Sequence, residues 1–105
     1  MGSGAVEVFA TPWMIALMEN AALSAVQPYL DEGDSTVGIE LHVTHDAPTP
    51  VGETVIAEAE LTAVDRRRLE FKVLARVGEQ IIGKGTHTRF VVNQERFLKK
   101  ALGKT

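Results

Sequence analysis

The chain has no cysteine. Disulfide staples, thiolate metal sites and a cysteine nucleophile are therefore excluded, and the composition suits the cytoplasm. There is no excess of positive charge. The formal net charge is −3 and the pI about 5.6, whereas a nucleic-acid partner asks for a basic face. No apolar stretch approaches the roughly 20 residues of a membrane span. The start "MGSGAVEV" lacks the basic region and long apolar core of a signal peptide. It begins like a myristoylation site, but Val6 stands where Ser or Thr is expected. Internal repeats, Gly-rich phosphate loops and a Gly-x-Ser-x-Gly elbow are also missing.

What is present fits one α+β domain spanning residues 1–105. The chain is 45% hydrophobic, enough for a core. A chain this short buries only a modest fraction of its surface, which favours oligomers. Thr11-Pro12 reads as a helix start, with Thr11 as N-cap and Pro12 at the first helical position. From Trp13 to Val26 the apolar residues surround the axis, which predicts a buried helix. Pro28 ends or kinks it, and Asp31 to Asp34 form an exposed turn.

The period then changes to two. Val37, Ile39, Leu41 and Val43 alternate with polar residues. So do Val55, Ala57, Ala59, Leu61 and Ala63, and then Leu69, Phe71, Val73, Ala75 and Val77. These runs predict half-buried antiparallel strands, with hairpin turns at Asp65-Arg66 and Gly78-Glu79. A last strand covers roughly Gln80 to Val92, and Asn93 caps a short helix over "QERFLKKAL". One helix covers one sheet, yet an all-round apolar helix has more surface than one sheet hides. A symmetric dimer that continues the sheet or packs the helices together resolves this.

Glu19 is the anomaly. Its neighbours Ile15, Met18, Ala22 and Leu23 are apolar, and an ionised carboxylate is expensive to bury without partners. It faces a polar gap or the surface, or else a functional site, where such carboxylates cluster. Thr11, read first as a cap, also sits where backbone N–H groups favour negative charge, so a second role is compatible. His42 and His45 are three apart on a strand and point to opposite faces. A metal site needs three or four converging ligands, so none is expected there. His45 at the strand end, before the loop "DAPTPVG", occupies a usual place for a general base. His42 reads as solvated, and His87 as a packed strand histidine. Gly38 interrupts its strand, where glycine often marks the close approach of a ligand or backbone. Arg66, Arg67 and Arg68 form a basic hairpin tip, either solvated or a clamp for the phosphates of a nucleotide-bearing ligand.

Together the stretches "VFATPWMIALMENA" (8–21), "VGIELHVTHDAPTPVG" (37–52), "VDRRRLEFKV" (64–73) and "IGKGTHTR" (82–89) resemble the fluoroacetyl-CoA thioesterase-like branch of the hotdog-fold thioesterases. The resemblance runs from Val8 to about Leu102. It implies a long central helix wrapped by an antiparallel sheet, with two subunits extending that sheet. It also implies hydrolysis of a small acyl-CoA thioester, with CoA as part of the substrate and no further cofactor. The family's Thr, Glu and His fall on Thr11, Glu19 and His45, its backbone-amide glycine on Gly38, and its CoA-side arginine on Arg89. Members usually carry a longer segment before the F-A-T stretch, so the first strand here is expected to be short or missing.

A CoA thiolate leaves readily, so the site needs an activated nucleophile and oxyanion donors. In this reading Gly38 N–H meets the carbonyl oxygen and His45 is the base on water or on Thr11. Glu19 is nucleophile, second base or the group orienting His45. Thr11 and Glu19 are about 12 Å apart along a helix, which favours a composite site from two subunits. The alternatives on the same fold are a non-catalytic acyl-CoA-binding module and an acyl-thioester dehydratase. A purely structural dimer would predict that Glu19→Leu stabilises the fold and changes nothing else.

Overall fold

The computed structural model describes residues 10–49 and 52–103; the expected short first strand falls in 1–9, outside them. Helix α1 spans Thr11–Val26. Its N-cap is Ala10, not Thr11: Ala10 keeps an extended backbone while its carbonyl accepts from Trp13 N (3.0 Å) and Met14 N (3.2 Å). The backbone therefore closes the first turn without a side-chain cap, and the Thr11 hydroxyl is left for another partner. The helix stops where Pro28 requires, in the 3-10 turn Gln27–Tyr29.

Met14, Met18, Ala22 and Val26, every fourth residue, are the buried stripe of α1. They lie over strands β2 (Ile56–Asp65) and β3 (Arg68–Val77), and burying each Met contributes roughly 1.5–3 kcal/mol. The helix is thus buried on one stripe within the chain rather than all round. Trp13 is 57% exposed and Leu17 37%, because four strands can cover only one side of a cylinder.

Strands β1 (Asp34–His45) and β4 (Gln80–Asn93) complete an antiparallel sheet in the order β1-β4-β3-β2. Leu69, Phe71, Val73, Ala75 and Ile82 supply its buried face. Gly83 on β4 lies directly under Met14 of α1: a Cβ there would strike the Met14 sulfur and the Thr44 carbonyl. The β2–β3 turn is Arg66-Arg67, one residue later than the sequence suggested, because Asp65 still pairs with Arg68 in the ladder. Arg66 takes the positive φ of 58° that this turn demands. Asn93 caps helix α2 (Gln94–Ala101) as expected, its side-chain oxygen accepting from Arg96 N at 3.1 Å.

Strict alternation fails on β1. Gly38 pairs with Arg89 and Glu40 with Thr88, so Ile39 is an extra, bulged residue. Opposite residues share a face, and the partners of Thr36, Gly38, Leu41, Val43 and His45 alternate along β4 without a break. These five therefore share the helix side. Val37 turns away from it, and the bulged Ile39 is 52% exposed.

Candidate active site

Two groups of polar side chains lie between α1 and β1. The first is at the start of the helix. Thr11 Oγ1 is 2.8 Å from His45 Nδ1. His45 is the last residue of β1, and the chain after it is pinned by Asp46 N and Ala47 N donating to the Ile82 carbonyl. His45 Nε2 is buried and, among the described residues, has no hydrogen-bond partner, and the same holds for Thr49 Oγ1. A buried polar group gains about 1–3 kcal/mol when it is paired, so this nitrogen is one that a bound water or substrate could satisfy.

The second group is two turns along α1. A Cβ placed on Gly38 would lie 3.2 Å from Glu19 Oε2, 3.0 Å from His87 Cε1 and 3.4 Å from Arg89 Nη1. Three side chains thus converge over the Gly38 Cα, and a larger residue there would crowd them. The Arg89 guanidinium is buried; Nε donates to Thr36 Oγ1 at 2.7 Å, Nη2 to the Thr36 carbonyl at 2.9 Å, and Nη1 lies 3.2 Å from His87 Nε2. Burial pushes the Arg89 pKa down, and the nearby Glu19 charge opposes that shift. An open cavity of about 420 Å³ borders Glu19, Asn20, Thr36, Gly38 and Arg89.

The expected residues are thus brought together as Thr11 with His45, and as Glu19 with Gly38 and Arg89. The two groups do not meet within one chain. Eight helical positions separate Thr11 from Glu19, about 12 Å. Along β1, Gly38 and His45 are about 20 Å apart. Arg67 is exposed and donates to the Val91 carbonyl at 3.3 Å. With Phe90, Arg96, Phe97 and Lys100 it lines a second cavity of about 420 Å³ that has no acidic wall.

Sequence reasoning missed Thr36, since parity placed it away from the helix until the bulge was known. It also missed Arg96 and Lys100, although their spacing of four puts them on one helical face. His87 is the packed, hydrogen-bonded strand histidine expected. His42 points to the other face of the sheet from His45, 3.0 Å from Glu40 Oε2. Among the described residues no three His, Asp or Glu side chains converge as metal ligands, and no helix is long and apolar enough to cross a membrane.

A family model described as fluoroacetyl-CoA-specific thioesterase matches residues 1–95. The fluoroacetyl-CoA thioesterase of Streptantibioticus cattleyicolor is 48% identical over 99 residues, covering 94% of this chain and 71% of that protein. A solved structure of the fluoroacetyl-CoA thioesterase FlK superposes with a TM-score of 0.89 at 47% identity, over 95% of this chain and 74% of the other. A mutant of that enzyme in complex with fluoroacetate and CoA gives 0.90 at 47% identity, over 98% and 80%. A hot-dog-like protein from Thermanaerovibrio acidaminovorans gives 0.88 at 22% identity, over 97% and 76%. At that identity the likeness speaks for the fold alone, the α+β hotdog expected from the sequence.

Proposed function

The chain belongs to the fluoroacetyl-CoA-specific thioesterase family and is an acyl-CoA thioesterase, and from that premise we propose how its residues hydrolyse a small acyl-CoA. The observation that carries the proposal is His45, with Nδ1 held by Thr11 and Nε2 buried and unpaired among the described residues. In the tautomer with hydrogen on Nδ1, that atom donates to Thr11 Oγ1 and Nε2 is free to take a proton from water. Thr11 then orients the base rather than attacking.

The attacking water adds to the thioester carbonyl, whose oxygen is met by Gly38 N–H and the Arg89 guanidinium. The C–S bond then breaks and CoA leaves as a thiolate, which needs little acid help. Glu19 opposes the imidazolium charge that His45 acquires. The separation of about 12 Å within one chain supports a site built by two subunits, with Glu19 of one copy facing His45 of the other. The exposed Trp13 and Leu17 and the outer edge of β1, unpaired among the described residues, offer a homodimer apolar surface and sheet continuation. Arg89 meets CoA at its acyl end, and the cavity of Arg67, Arg96 and Lys100 takes its phosphates, because Arg and Lys pair well with phosphate.

The test is steady-state hydrolysis of a short acyl-CoA panel, beginning with the fluoroacetyl thioester, by wild type, Glu19→Gln and His45→Ala. Both variants should lose on the order of 10²–10⁴ in kcat. Equal turnover by all three would overturn the assignment.

A further inference from the structure

His87 has no part in the chemistry above, yet it is 2% exposed and makes two directed contacts. Its Nδ1 is 2.8 Å from the Glu40 carbonyl oxygen. A carbonyl only accepts, so Nδ1 carries the hydrogen. Its Nε2 is 3.2 Å from Arg89 Nη1. A guanidinium only donates, so Nε2 is the acceptor. The two neighbours together select one neutral tautomer, since a second ring hydrogen would point at an Arg89 N–H.

Each end of this imidazole is tied to a feature of the site. Glu40 follows the bulged Ile39, and a bulge breaks the backbone ladder locally. The His87 donor reaches the carbonyl at that break, which turns Thr36 and Gly38 toward α1. At the other end His87 supplies the third anchor of Arg89, after the two bonds to Thr36. Its Cε1 lies 3.0 Å from the point where a Gly38 Cβ would stand, so the ring also floors the space over Gly38. Phe71, its ring centroid 6.3 Å away and tilted by 32°, backs it from the core.

We propose that His87 is a positioning residue for hydrolysis: as a neutral Nδ1–H tautomer it joins the β1 bulge to Arg89 and fixes the guanidinium over Gly38 beside Glu19. This rests on the reading of Glu19, Gly38 and Arg89 as the acyl site. If wild type fails to hydrolyse any short acyl-CoA, that reading falls; the tests below concern His87 alone.

The first test is spectroscopic and uses the wild-type protein. Ring nitrogen NMR of His87 should show a protonated Nδ1 and an unprotonated Nε2 at neutral pH. The opposite tautomer, or an imidazolium, overturns the proposal whatever the variants do. The second test is kinetic. His87→Leu removes both contacts and should lower kcat on the order of 10²-fold with KM changed by less than about threefold, as expected for a misplaced catalytic group. His87→Gln keeps an acceptor and a donor and should recover to within about tenfold of wild type. In an Arg89→Met background, His87→Leu should cost no more than about twofold further, because residues acting through one another are not additive. An equal loss in both backgrounds shows that His87 does not work through Arg89. Full activity of a folded His87→Leu variant also overturns the proposal. If His87→Leu does not fold, His87→Gln in the two backgrounds gives the same comparison.

Discussion

The Thr11–His45 pair and the Glu19–Gly38–Arg89 group hang on the same helix and strand, but they differ in completeness. Arg89 is held by Thr36 and His87 in one chain, with three contacts between 2.7 and 3.2 Å. Among the described residues His45 has one side-chain partner and one buried, unpaired nitrogen. The first arrangement is preorganised and can meet developing charge without moving, which is what stabilises an oxyanion. The second leaves His45 Nε2 open to a further partner. The proposed oxyanion group is thus held within one chain, whereas the proposed base has, among the described residues, only Thr11 as partner.

The largest effect comes from separating the two halves genetically. Glu19→Gln and His45→Ala proteins should each be nearly inactive, down on the order of 10²–10⁴-fold. Mixed, dissociated and reassociated, they should regain about a quarter of wild-type activity if each site uses Glu19 of one subunit and His45 of the other. Half of the random dimers are then heterodimers, each with one intact site. No recovery would mean that each site lies within one chain.

Gly38→Ala attacks only the oxyanion group. The new methyl must push the His87 ring and Glu19 Oε2 away by a few tenths of an ångström and would touch Arg89 Nη1. Overpacking of this kind costs roughly 1–3 kcal/mol. A kcat loss of about 10- to 100-fold should accompany it, with the circular dichroism spectrum retained. If kcat is unchanged, the packing over Gly38 has no bearing on turnover.

A smaller effect lies outside both halves. Arg67→Glu and Lys100→Glu should each raise KM for an acyl-CoA by roughly tenfold, about 1.4 kcal/mol, while leaving kcat alone. The matching acyl-pantetheine thioester, which lacks the nucleotide, should be hydrolysed equally by variants and wild type. A KM rise for both substrates would place the defect elsewhere than at the phosphates.

Much of this arrangement was legible in the sequence, and the parts that were not share a cause. Pro28, Asn93 and the alternating strands act locally, so their structural consequences could be read directly. Glu19 stood out because its helical neighbours are apolar, and Gly38 because strands seldom want glycine. Thr36 was hidden because parity counts residues, and one bulged residue at Ile39 reverses every inference upstream of it. Thr11 was misread as a cap because a Thr-Pro pair signals a helix start without saying which residue's carbonyl closes the turn; Ala10 does so. The cavity of Arg67, Arg96 and Lys100 depends on how α2 folds back on β4, which no local pattern encodes.

The outer face of β1 gives the last and smallest contrast. His42 and Glu40 form a histidine–carboxylate contact, at 3.0 Å, in solvent. The hydrogen bond and charge of His42, aided by Arg68, hold the Glu40 carboxyl below the usual carboxylate range. A carboxyl depressed in the folded state contributes stability above its unfolded pKa, about 4.3, and loses that contribution as pH falls through its lower folded value. Stability of wild type and Glu40→Gln should therefore differ slightly at pH 5 and converge as the pH falls below the usual carboxylate range. Solvent screens exposed pairs, so the difference should shrink further in high salt. Acyl-CoA turnover should not change at all, because this pair points away from α1. Urea titrations at several pH values, with parallel kcat measurements, check both statements. A loss of turnover in Glu40→Gln would show that the two faces of β1 are coupled, and the division between a structural outer face and a reactive inner one would fail.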